Sequence, residues 1–126
     1  DDSENATVFS MIEAIEILGK IGTGRRKIMV LGDVLGVGKY TIEAHEAIGE
    51  KVASFGDLLF TVGPRAKFIA QGAKNKGMER EYIFQFDRIE EAKKKLQEEI
   101  KKDDLILVDG SKEMKMSEVV DEIKKV

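Results

Sequence analysis

The sequence predicts an α/β three-layer sandwich, a mostly parallel sheet of about five to six strands with helices on both faces. Three observations carry this expectation. Short apolar runs of strand length alternate with stretches whose apolar residues recur at helical spacing. Glycines 22, 24, 56 and 77 fall where a helical pattern gives way to an apolar run, as helix C-termini require. With 126 residues, 42% of them apolar, the chain can bury one core without covalent staples, and a single domain spanning residues 1–126 is expected.

The elements follow in order. Met11, Ala14, Ile15 and Leu18 share one face of a first helix, and Lys27–Leu31 (KIMVL) reads as a strand. Ala44, Ile48, Val52 and Phe55 form a second helical face, followed by the strand Leu58–Val62 (LLFTV). Pro64, the only proline, suits the first turn of a third helix whose face is Ala66, Ile69, Ala70 and Ala73. Tyr82–Phe86 (YIFQF) is the next strand. Asp87-x-x-Glu90 reads as an Asp variant of the capping box, ahead of a helix presenting Ile89, Ala92, Leu96 and Ile100. Leu105–Val108 (LILV) is a fourth strand, and Met116, Val119, Val120 and Ile123 give a fifth helical stripe. The chain opens Asp1-Asp2 without an initiator Met, as a trimmed domain would. That pair would then mark the end of a further strand.

Composition excludes several chemistries. There is no cysteine, hence no disulfide framework, thiol nucleophile or thiolate metal site. A single histidine, His45, rules out a histidine-rich metal centre. The net charge of −3 disfavours nucleic acid as the main partner, because neutralising phosphates needs a basic field. Charged residues reach 36% but are mixed in sign, so Lys93–Lys95 and Lys101–Lys102 read as solvated helix surface. No apolar run approaches the roughly 18 residues of a membrane span.

Ligands of open α/β sheets bind beyond the carboxyl ends of the strands. Four segments gather there: Asp1–Thr7, Gly32–Thr41, Gly63–Lys67 and Asp109–Lys115. Their glycines and small polar residues fit either tight turns or an anion site at a helix N-terminus. The segment LGDVLGVGKYT (Leu31–Thr41) resembles a phosphate loop only loosely. A P-loop places a glycine five positions before its Gly-Lys and a Ser or Thr directly after. Counting back from Gly38 gives Asp33, and Tyr40 stands where the magnesium-binding hydroxyl belongs. The dinucleotide pattern fails as well, since Gly36-x-Gly38 leads to Thr41 instead of Gly or Ala. A phospho-accepting receiver domain would need a carboxylate after Thr61-Val62, where Gly63 stands. His45, four residues after Thr41 and without a neighbouring nucleophile, reads as a structural residue that fixes the preceding loop ahead of a general base.

Four stretches nevertheless resemble one family. DDSENATVFSM is similar to a DDSYNAN-x-x-SM opening, and LGDVLGVGKYTIEAH to LGDMLELG-x-x-S-x-x-x-H. TVGPRAKFIAQGA resembles TVG-x-x-A-x-x-IA-x-GA, and ILVDGSKEMKMSEVV resembles VLVKGSR-x-M-x-ME-x-VV. These are segments of the C-terminal domain of the Mur ligase family, in the branch that adds D-alanyl-D-alanine. They run in order over essentially the whole chain. The DYAHTP and DNPR motifs of the branch that adds the third amino acid are absent.

The resemblance implies a Rossmann-like closing domain of a bacterial, cytoplasmic, ATP-dependent ligase of peptidoglycan synthesis. Such a ligase activates the carboxylate of UDP-N-acetylmuramoyl-tripeptide as an acyl phosphate, which the amine of D-alanyl-D-alanine attacks. N-terminal and central domains outside this chain would bind the UDP-linked precursor and carry the true P-loop and the Mg site. ATP with Mg is thus the implied cofactor, the ligase's own central domain the implied partner, and a monomer is expected. No metal ligand and no catalytic residue is expected within the chain, and the isolated domain should be inactive. Carried over by position, Asp2, Ser3 and Asn5 become nucleotide contacts. Gly32, Asp33, Gly38 and His45 belong to a closing loop that faces ligand, with Leu35 as packing. Gly110 and Ser111 lie on the dipeptide side. Departures from the motifs are Glu4 for Tyr, Thr7 for the second Asn, Gly36-Val37 for Glu-Leu, Asp109 for Lys, and Lys112 near the usual Arg. They leave open a second reading, a non-catalytic binding or scaffold module that keeps the fold. A stand-alone enzyme has no nucleophile–base pair to support it.

Overall fold

In a computed structural model that describes residues 6–111, the first helix is started by its own side chains. Ser10 N–H donates to Thr7 Oγ1 at 3.0 Å, and Thr7 N–H donates to Ser10 Oγ at 2.9 Å. This reciprocal box satisfies two amides that a helix N-terminus leaves free. Helix α1 spans Val8–Ile21 and ends at Gly22. Then come β1 (Lys27–Gly32), α2 (Thr41–Phe55), β2 (Leu58–Val62) and α3 (Lys67–Asn75). A 3₁₀ turn (Arg80–Tyr82) leads into β3 (Ile83–Phe86), α4 (Ile89–Glu99) and β4 (Leu105–Asp109).

The four strands of the described residues form one parallel sheet in the order β3-β2-β1-β4. The chain steps outward from β1 to β3, then returns across the sheet to β4. Because parallel crossovers are right-handed, the outward and returning helices must lie on opposite faces. Helices α1, α2 and α3 accordingly bury Met29, Leu31, Leu59 and Ile83 on one face. On the other, α4 contributes Ile89, Ala92 and Leu96 to a layer with Ile28, Val30, Leu58 and Phe60. Strand alternation supplies both layers from the same short runs.

The α2–α3 contact depends on two glycines. A Cβ built on Gly49 runs into the carbonyl oxygen of Ile69, and one on Gly72 into that of Glu46. The helices therefore cross backbone against backbone. This explains why the buried face of α2 is His45, Ile48, Gly49 and Val52, with Ala44 and Phe55 only partly covered.

At the amino ends of the strands, Arg26 grips Asp104 in a two-pronged pair. Nε donates to Oδ1 at 3.0 Å and Nη2 to Oδ2 at 2.7 Å, while Nη2 also reaches Glu99 O at 2.7 Å. The Lys101 amide donates to the same carboxylate at 2.7 Å. Burial works to raise the Asp104 carboxyl, but its bonds to Arg26 and to the Lys101 amide, with both cationic charges, hold it below the ordinary value. The pair in turn raises Arg26.

Several expected boundaries are corrected. Helix α4 is capped by Arg88, with no side-chain bond, so Asp87 sits one residue too early to close a box with Glu90. Pro64 lies in the turn before α3, not in its first turn, because the helix begins only at Lys67. Tyr82 ends the 3₁₀ turn and Ile100 is the cap of α4. The expected stripe from Met116 to Ile123 and the strand end at Asp1-Asp2 fall outside the described residues.

Two measurements test this packing. In an exposed helix a Gly→Ala change would gain about 1 kcal/mol. Gly72→Ala should instead lose about 3 kcal/mol or more in urea denaturation, since backbone cannot move aside as a side chain can. A variant as stable as the parent would refute the close crossing. The lowered Asp104 carboxyl contributes stability that is present above its unfolded value of about 3.9 and is lost as pH falls through the lower folded one. Asp104→Asn should flatten that acid limb and cost about 3 kcal/mol at neutral pH, the low end for a buried pair because Arg26 reaches solvent. An acid limb unchanged in the variant would refute the assignment.

Candidate functional site

The strand order reverses between β1 and β4, and the carboxyl ends of these strands frame the crevice where such sheets take ligands. Gly32 ends β1 opposite Val62, while Leu31 pairs with Asp109 at the end of β4. Just beyond, three connections converge on Asp33.

Asp33 is 1% exposed. Its Oδ1 accepts the amides of Arg65 at 2.9 Å and Ala66 at 2.7 Å, the free donors of the turn that opens α3. The Arg65 guanidinium adds Nη1 to Oδ2 at 3.3 Å. Asp33 thereby replaces the side-chain cap that α3 lacks, and an anion at a helix N-terminus is favoured by the dipole as well. On the other side, the carbonyl of Asp33 accepts Ser111 N–H at 3.0 Å. Ser111 Oγ in turn accepts the Leu35 amide at 2.8 Å.

His45, fully buried on α2, completes the cluster. Its Nδ1 lies 2.6 Å from Thr41 O and its Nε2 lies 3.1 Å from Val34 N. A carbonyl only accepts and an amide N–H only donates, so the hydrogen sits on Nδ1 and Nε2 is the acceptor. The ring fastens the loop of residues 33–40 to the helix behind it. Gly36 (φ 77°) and Gly38 (φ 87°) turn that loop in the left-handed region, which explains its glycines without a phosphate.

Asp109 differs from its neighbours. It is half-buried at the end of β4, its Oδ1 accepts the Gly110 amide at 2.9 Å, and no cation pairs with it among the described residues. Burial raises its carboxyl, and the Gly110 bond only partly opposes this.

The structure thus brings Gly32, Asp33, His45, Gly110 and Ser111 together, with Leu35 and Gly38 on the connecting loop. Of the closing-loop residues, Asp33 turns its side chain inward, and His45 is the loop anchor that its sequence position suggested. Both point inward, Asp33 to accept two backbone amides and His45 to accept the Val34 amide and donate to the Thr41 carbonyl. Ser111 is likewise buried, at 5%. Asp2, Ser3 and Asn5 lie outside the described residues. Sequence reasoning placed Gly63–Lys67 at the ligand edge but singled out no site residue within it, yet Arg65 and Ala66 are the partners of Asp33. The signal available was a buried-type Asp directly after a strand, facing an uncapped turn after the next one.

Among the described residues, cavities lie at both ends of the strands. The larger, about 770 Å³, is an open groove at the amino ends, the edge away from the crevice, with Arg25, Lys27, Asp57 and Tyr82 in its lining. Lys27 Nζ there is already bound to the carbonyls of Gly22 and Arg25. The smaller, about 190 Å³, sits at the carboxyl ends of β2 and β3 among Thr61, Gly63, Lys67, Gln85 and Asp87. Among the described residues no group of three acidic or histidine side chains could hold a metal, and no helix is long and apolar enough to cross a membrane.

A parallel sheet in this order, with its carboxyl-edge loops bound into one cluster, places the chain in a known class. Residues 2–112 match the family model described as "Mur ligase, glutamate ligase domain", and the chain belongs to that family. Within it, the chain is similar to the UDP-N-acetylmuramoyl-tripeptide–D-alanyl-D-alanine ligase (MurF) of Bacillus subtilis, 31% identical over 98% of this chain and 27% of the relative. The enzyme of the same name from Buchnera aphidicola is 32% identical over 99% of this chain and 26% of its own length. The chain therefore spans about a quarter of these curated relatives. The fold is shared with the MurF ligase of Thermotoga maritima solved in complex with ADP (TM-score 0.76, 24% identity, 99% of this chain and 27% of that one). It is shared also with MurF from Acinetobacter baumannii (TM-score 0.81, 24% identity, 100% of this chain and 28% of that one).

The Asp33 cluster can be tested by urea denaturation. Asp33→Ala leaves two buried amides without an acceptor and should cost about 3 kcal/mol. Asp33→Asn keeps an acceptor oxygen and should cost about 1 kcal/mol. Equal losses for the two would show that the carboxyl oxygen is not what holds the turn.

Proposed function

We propose that this chain is the closing domain of an ATP-dependent ligase that joins D-alanyl-D-alanine to UDP-N-acetylmuramoyl-tripeptide through an acyl phosphate. The observation that supports it most is the crevice between β1 and β4, whose loops are bound into one platform in a chain that aligns over nearly its whole length with ligases named for that reaction. Domains outside this chain would hold the UDP-linked precursor, ATP and Mg in the cytoplasm. The platform would close over them as a monomer. Asp2, Ser3 and Asn5 would face the nucleotide, where a carboxylate and an amide suit ribose hydroxyls and an adenine edge. Gly110 and the backbone around Ser111 would border the dipeptide. Rigid loops serve such closure, because a ligand held in a fixed frame does not have to order the frame first.

A non-catalytic binding module is the second reading, and Asp109 favours it. A half-buried carboxylate without a cation would repel a substrate carboxylate at that spot.

One experiment separates the two. Backbone-amide NMR of this chain, titrated with Mg-ATP and separately with D-alanyl-D-alanine, should show shifts at residues 2–7, 32–41 and 109–115, and clean material should turn over no ATP. ATP hydrolysis by the chain alone would overturn the closing-domain reading. Silence toward both ligands in the parent and in Asp109→Lys would favour the binding module.

A further inference from the structure

The donors at the centre of the crevice are almost all engaged. Val34 N–H goes to His45, Leu35 N–H to Ser111, Ser111 N–H to Asp33, and the amides of Arg65 and Ala66 to Asp33. Gly110 N–H is held by Asp109. The Arg65 side chain is the exception. Its Nη1 leans on Asp33 Oδ2 at 3.3 Å, and no other bond to its guanidinium is made among the described residues. The Arg65 side chain is 47% exposed, whereas that of Asp33 is 2% exposed. A buried carboxylate, itself fixed by two backbone amides, thus steadies one corner of a guanidinium, and Nε and Nη2 make no bond among the described residues.

We propose that Arg65 is an anion-recognising residue of the crevice and that Asp33 is its positioning residue. The ligand chemistry is a pair of anionic oxygens, which a guanidinium fork binds in two parallel bonds. A nucleotide phosphate and the carboxylate of a dipeptide both supply such a pair. Lys67, two residues on in the chain, carries a second positive charge, with its Nζ lying 5.2 Å from the Phe68 ring centroid. Asp87 lines the neighbouring cavity with Lys67 and limits that field on the β3 side. Arg65 and Lys67 are offset by Asp33 and Asp87, so general charge attraction does not account for binding there. This inference rests on the ligase reading for the identity of the anion, and on the geometry alone for its place.

The test is a set of NMR titrations of the whole chain with inorganic pyrophosphate, ADP and D-alanyl-D-alanine, following the Arg65 Nε–H signal and the amides of residues 63–67. Saturable shifts there are expected with pyrophosphate and ADP if the anion is a phosphate, and with the dipeptide if it is a carboxylate. Arg65→Gln leaves the backbone bonds to Asp33 in place, so the fold is kept, and it should weaken the Kd by about tenfold or more. Arg65→Lys keeps the charge but loses the fork and should recover only part of that loss. No saturable shift at millimolar ligand, or unchanged affinity in Arg65→Gln, overturns the proposal. If ADP shifts residues 32–41 but nothing moves at Arg65, this inference falls and the ligase reading stands. If pyrophosphate alone binds at Arg65, the site stands and the ligase reading loses its support.

Discussion

The carboxyl edge of this protein depends on one buried carboxylate. Removing a charge from water costs several kcal/mol unless hydrogen bonds replace those of the solvent. Asp33 obtains that replacement from the start of α3, where two amides would otherwise lack partners. Each side of the contact thus resolves a deficit of the other. The result ties the connection after β1 to the connection after β2, and the Asp33 carbonyl extends the tie to the end of β4. Three loops that could move separately are bound through a single residue.

The rest of the fold keeps that residue in register. Gly49 and Gly72 let α2 and α3 cross at backbone contact, which fixes the start of α3 relative to His45 on α2. His45 then holds the loop of residues 33–40 from behind, while Asp33 holds it from the front. At the opposite edge, the Arg26–Asp104 pair ties the entry of β4 to the residue before β1. Helix packing and a tautomer-specific histidine act on the same few loop atoms.

Much of the fold was legible in the sequence because strand runs and helix faces are periodic, and period survives without knowledge of partners. LLFTV and LILV are strands for the reason first given, apolar runs of strand length, although LLFTV is buried throughout and LILV only partly covered. Caps were less legible. The box that forms uses Ser10 at the third helical position, where Glu or Gln is the usual signal, and the Asp87–Glu90 pattern fails because α4 starts one residue later. The crossing glycines were invisible, since a glycine within a helical pattern gives no sign of what lies against it. At the site, His45 was read correctly as a loop anchor from its isolation, whereas Asp33 was read as facing outward. Its true partners lie more than thirty residues away, at Arg65 and Ala66, and only the tertiary fold brings them together.

The loop that looks like a phosphate cradle shows how one composition serves two purposes. In a P-loop, glycines free successive amides to point at a ligand. Here Gly36 and Gly38 take left-handed conformations for the turn itself, and the amides of Val34 and Leu35 are held by His45 and Ser111. A backbone so engaged cannot wrap an anion without breaking bonds inside the protein. On the proposed reading, recognition at this edge would fall to side chains that project past the loop. The loop gains rigidity from the same bonds that deprive it of a cradle.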